Sequence, residues 1–133
     1  MTVAALTAII CAPIAHADPC NNQACLSQPF SQAGAPFVGD WGAHKEHIVI
    51  SPDGSGTETS NYGTVSFTLG SVMNEGPTAE GNITSGGIVG GYVALKLVDG
   101  GRGLEVDIAN GDHAFPFCKF VNGGYLNSAD CGA

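Results

Sequence analysis

The stretch GYVALKLVDGGRGLEVDI, residues 91–108, decides the fold class. Alternation puts Val93, Leu95 and Leu97 on one face of an extended segment, with Tyr92, Ala94 and Lys96 on the other. In the second half, Leu104, Val106 and Ile108 share a face, and Glu105 and Asp107 share the opposite one. A fold at Asp99-Gly-Gly-Arg102 sets Leu97 opposite Leu104 and Lys96 opposite Glu105. Apolar then meets apolar, and cation meets anion, on alternating rows. A register that agrees with itself in this way predicts an antiparallel hairpin.

The same period runs outward from the hairpin. TVSFTLGSV (64–72) places Val65, Phe67 and Leu69 on an inward face, and IVIS (48–51) ends at the turn Pro52-Asp-Gly-Ser-Gly56. AEGNITSG (79–86) and HAFPFCKF (113–120) add further short strands. The chain has 20 glycines, each of which costs about 1 kcal/mol relative to alanine inside a helix and suits turns or bulges instead. The expected fold is all-β, a small antiparallel up-and-down barrel over residues 37–133. A β-sandwich is the alternative arrangement of the same strands. The barrel is preferred because closure leaves fewer open edges.

Within residues 1–17, MTVAALTAIICAPIAHA, the run from Val3 to Ala15 is apolar except for Thr7 and carries no charge. The run is shorter than the roughly 20 apolar residues of a spanning helix, so no stable membrane anchor is expected. Ala15-His16-Ala17 offers small residues at both positions read by a signal peptidase, which predicts a cleaved export signal and a secreted protein. The absence of Lys or Arg before the apolar run points to a start codon further upstream. Residues 18–36 lack a period and read as an N-terminal arm. The net charge is −8, with four Lys and Arg in all, which excludes a basic footprint for nucleic acid.

Cys11 departs with the signal. Cys20, Cys25, Cys118 and Cys131 then read as two disulfides stapling an exported domain, with three connectivities open. The two local pairs, Cys20–Cys25 and Cys118–Cys131, are favoured. The spacing lacks the short paired knuckles of a structural zinc site.

Candidate chemistry is thin. His44-Lys-Glu-His47, with His113 from far along the chain, is the one arrangement that suggests a metal. Side chains three apart on a strand point to opposite faces, however, so the segment reads as a hairpin connection. Pro52–Glu58 lacks the later ligands of a calcium loop. Glu105 and Asp107 are carboxylates about 7 Å apart along one strand face, a spacing that glycosidases also use, but Lys96 opposite them marks a solvated sheet face. No nucleophile elbow or phosphate loop is present. Asn82-Ile83-Thr84 matches a glycosylation sequon, relevant only in a host with that pathway. No catalytic residue and no cofactor is expected.

Two resemblances add to this reading. Ala15-His16-Ala17-Asp18-Pro19, Phe37 to His44, Ile48 to Gly56 and the closing Cys131-Gly132-Ala133 resemble the small exported proteins of mycobacteria and related actinobacteria, a group without an assigned activity. Gly39-Asp40-Trp41 is similar to the Gly-x-Trp of the first strand in lipocalin-like barrels. That resemblance implies an eight-stranded barrel with Trp41 closing one end. It also implies a late arginine packed on the tryptophan, a place that falls to Arg102, the only arginine. The interior would hold one small ligand or side chains alone, and six Phe and three Tyr suffice to fill it.

The function expected from these features is a secreted, monomeric, non-enzymatic barrel that binds a small apolar ligand or an extracellular protein. An inhibitor that inserts the 18–36 arm, anchored by Leu26 and Phe30, into an extracellular enzyme is one alternative. A glycan hydrolase using Glu105 or Asp107 is another.

Overall fold

The computed structural model describes residues 27–73, 77–109, 111–112 and 116–126. Residues 1–17, expected as an export signal, and Cys20, Cys25, Leu26, His113 and Cys131 lie outside them. The chain runs β1 (Ser27–Pro29), α1 (Phe30–Ala33), a 3-10 turn (Ala35–Phe37), β2 (Gly39–Ala43), β3 (Glu46–Ile50), β4 (Ser55–Ser60) and β5 (Gly63–Met73). It continues through β6 (Thr78–Ser85), β7 (Tyr92–Val98), β8 (Gly103–Ile108), β9 (Gly111–Asp112), β10 (Phe117–Val121) and β11 (Gly124–Tyr125).

Strands β2 to β8 form an antiparallel meander, and β10 closes it by pairing with both its ends. Cys118 lies opposite Gly42 on one side and opposite Gly103 on the other. The result is a closed eight-stranded antiparallel barrel, not a sandwich. The Lys119 N–H donates to the Arg102 carbonyl at 3.0 Å beside this seam. Closure removes the edges that an open sheet would present.

The β7–β8 hairpin keeps the expected register, with Lys96 opposite Glu105 and Leu97 opposite Leu104. The inward stripe supplies the core. Trp41, Ile48, Ile50, Phe67, Leu69, Val93, Leu95, Leu104 and Phe117 are all buried to 1% exposure or less. Each of these side chains is therefore enclosed by protein on almost its whole surface.

The end of the barrel near the 51–54 turn is plugged. Phe30 and Phe37, with ring centroids 6.2 Å apart, are buried there with Trp41. The Trp41 indole N–H donates to the Phe37 carbonyl at 2.9 Å. Residues 27–36, the described part of the expected arm, pack on the barrel. β1 pairs with Ser71–Met73 of β5, and the aromatic ring at position 30 gains more from burial than from exposure. No helix among the described residues is long and apolar enough to cross a membrane.

Candidate functional site

β5 and β6 depart from the regular ladder twice. Their register shifts between Ser66 and Phe67 and again between Leu69 and Ser71. Ser66 and Phe67 face Ser85 and Ile83, so Thr84 is the extra residue on β6. Leu69 and Ser71 face Gly81 and Glu80, so Gly70 is the extra residue on β5. A bulge of this kind kinks its strand and re-aims the neighbouring side chains. Here the two bulges sit on either side of a groove on the outside of the barrel, with a volume of about 420 Å3.

Both bulge residues line it, together with Thr68, Ser71, Glu80, Asn82 and Tyr92. Two glycines make the concavity. A Cβ on Gly70 would meet nothing within 4 Å, so the site is bare where every other residue would project a side chain. A Cβ on Gly81 would lie 1.8 Å from the Thr68 carbonyl oxygen; only glycine lets the β5 backbone come this close.

One polar group of the groove is held in place by the loop beside it. The Asn82 amide donates to the Gly90 carbonyl at 3.0 Å, which ties β6 to the loop before β7. The Tyr92 phenol lies beside the Glu80 carboxylate, and Tyr92 stays half exposed. Burial pushes the Tyr92 phenol above its ordinary value of 10.0, and the Glu80 hydrogen bond and the charges of Glu80 and Asp107 add to the shift. Each of these favours the neutral phenol over the phenolate.

The sites suggested by the sequence take up other places. His44 and Lys45 form the tip of the β2–β3 hairpin, and His47 points out of β3, exposed. Among the described residues no three His, Cys, Asp or Glu side chains gather as a metal site. Asp53 accepts from the Ser55 N–H at 2.9 Å and the Ser55 hydroxyl at 2.7 Å. These bonds, the hydroxyl first, hold its carboxyl below the ordinary value; they shape a turn. Glu105 is exposed on the outer face opposite Lys96.

Gly39 and Trp41 lie on β2 at the plugged end, and the cation over the Trp41 ring is Lys119, with Nζ 5.2 Å from the centroid. Arg102 adjoins this contact through its backbone carbonyl. Lys119 shares strand parity with buried Phe117 and sits directly across from Trp41, a signal available in the FCKF alternation. The sequence reading also passed over Glu58, a buried carboxylate on the inward row between Ile48 and Val65. In TETS (57–60) nothing sets it apart from its polar neighbours. Comparison with known proteins finds no matching family model, curated protein or solved structure.

Proposed function

We propose that the protein is an exported, non-enzymatic binding module, a lipocalin-like barrel that engages its ligand on its outer wall instead of in its lumen. The observation that carries this reading is the contrast between an inward stripe of buried side chains and an open groove on β5–β7. Ligand sites of 300–1,000 Å3 are the common range, and the groove falls within it. Its lining holds a single carboxylate, Glu80, whereas glycoside hydrolysis ordinarily draws on a pair. Burial of Phe30 takes away one of the two large anchors that an inserting inhibitor arm would use.

The four cysteines complete the reading as two local disulfides, Cys20–Cys25 and Cys118–Cys131. The burial of Cys118 in β10 agrees with a staple at the barrel seam. Non-reducing peptide mapping that links 118 to 20 or 25 would overturn this pairing.

The outer-wall reading is tested by titrating the full chain with palmitate while following Trp41, the sole tryptophan. A filled lumen gives no saturable change in emission and no excess mass in native mass spectrometry. Stoichiometric quenching with a bound palmitate mass would return the ligand to the lumen.

A further inference from the structure

We propose that the β5–β6–β7 groove binds a neutral saccharide, with the Tyr92 ring as its platform and Glu80, Asn82 and the surrounding hydroxyls as its hydrogen-bonding frame. The inference rests on the outer-wall reading above and names its ligand class.

The chemistry of the lining selects among ligands. Thr68, Ser71, Thr84 and Tyr92 contribute hydroxyls, Asn82 an amide and Glu80 a carboxylate. A purely apolar ligand would strip water from these groups and return no hydrogen bonds, a desolvation penalty for each. No Lys, Arg or His lines the groove, and the chain carries a net charge of −8. An anion therefore has no partner there and meets Glu80 as a like charge. A peptide adding as a β-strand needs an open edge, whereas β5, β6 and β7 are paired to each other and to their outer neighbours. What remains is a neutral molecule rich in hydroxyls.

The geometry suits a sugar in particular. A pyranose presents an apolar C–H face and a rim of hydroxyls, and Tyr92 presents a half-exposed ring with its polar tip beside Glu80. Aromatic residues of this amphipathic kind combine large contact area with a polar handle. The carboxylate accepts from hydroxyls, and Asn82, with one amide bond committed to Gly90, still offers its carbonyl oxygen and a second N–H. The bare backbone at Gly70 leaves room for the ring. A volume of about 420 Å3 accommodates on the order of one or two such rings. Orientation before binding lowers the ordering cost, because Asn82, tied to Gly90, need not be fixed by the ligand.

The test uses the full chain made in a bacterial host, so that the Asn82 sequon stays unmodified. Maltose, cellobiose, laminaribiose, mannobiose and galactobiose are screened by saturation-transfer NMR at millimolar concentration, and any binder is measured by calorimetry. Wild type is expected to bind at least one of them. Tyr92→Ala should raise Kd about tenfold or more, in keeping with an aromatic anchor, and Tyr92→Phe should raise it only a few-fold.

Gly70→Val is the decisive variant, since it fills the groove where nothing stands within 4 Å. It should abolish binding while circular dichroism and Tm stay at wild-type values. Tyr62→Ala, at the 99% exposed tip of the β4–β5 turn, should leave binding unchanged. The proposal is overturned if none of the five binds wild type, or if Gly70→Val binds as well as wild type. Cleavage of a bound disaccharide, seen by mass spectrometry, would uphold the groove and overturn the non-enzymatic reading.

Discussion

The β7–β8 and β5–β6 pairs are neighbours in one barrel, and both join consecutive strands, yet they serve different ends. β7–β8 is regular along its length: each residue from Val93 to Val98 faces one partner from Ile108 to Gly103. Its inward residues are core and its outer ones are a solvated row of Lys96, Glu105 and Asp107. β5–β6 breaks register twice, and the breaks fall where the groove lies. A regular ladder gives a flat outer face, because side chains project at every second position. Irregularity is what makes a hollow there. The site thus comes from the part of the wall where the ladder fails, and the hairpin beside it supplies the frame.

Substitutions can break this comparison, beginning with the largest effect. Gly81→Ala drives a Cβ to 1.8 Å from the Thr68 carbonyl oxygen, a clash with backbone that no rotamer relieves. We expect a loss beyond the roughly 3 kcal/mol of ordinary overpacking, read by urea denaturation or by failure to obtain folded protein. Wild-type stability would show that the bulge relaxes without glycine.

Leu95→Ala on the regular hairpin removes a side chain with no exposure. It should cost about 3 kcal/mol, within the range for truncating a buried leucine. A cost under about 1 kcal/mol would mean that the lumen is loosely filled.

Glu80→Gln sharpens the comparison at the groove. The Glu80 carboxylate helps to hold the Tyr92 phenol above 10.0, after burial itself. The variant should therefore lower the Tyr92 ionisation part of the way back, measured by NMR titration of the tyrosine ring carbons. Because the folded pKa is raised, the stability tied to the neutral phenol is fully present below pH 10 and is lost as pH rises through the folded pKa. Loss of stability above pH 10 should accordingly be milder in Glu80→Gln.

Lys96→Ala, across from Glu105 on the exposed row, should change stability least, by about 0.5 kcal/mol or less. A larger loss would mean that this row is not simply solvated.

What the sequence made legible follows from the same contrast. Strict alternation in YVALKLV and LEVDI fixed both faces and the register, and TVSFTL fixed Phe67 and Leu69 as core. Beyond Leu69 the bulge at Gly70 turns Val72 inward, three positions on instead of two, and alternation loses its meaning there. Closure was a preference only, because it depends on Cys118 meeting both Gly42 and Gly103 from opposite ends of the chain. The groove was illegible for a related reason. GSVM and AEGNITS do not announce which glycine is an extra residue and which one permits a close backbone approach; that is decided by pairing. The hydroxyls and the carboxylate were in plain view, but nothing in their spacing gathered them.

The most direct test of the central claim, that the ligand meets the outer wall and not the lumen, is chemical-shift mapping of the isotope-labelled protein during titration with its tightest-binding disaccharide. The account predicts amide shifts confined to Thr68–Ser71, Glu80–Thr84 and Tyr92, with the Trp41 indole and the Ile48, Leu95 and Leu104 methyl groups unmoved. Saturable shifts of those inward groups, with the groove amides unmoved, would contradict it.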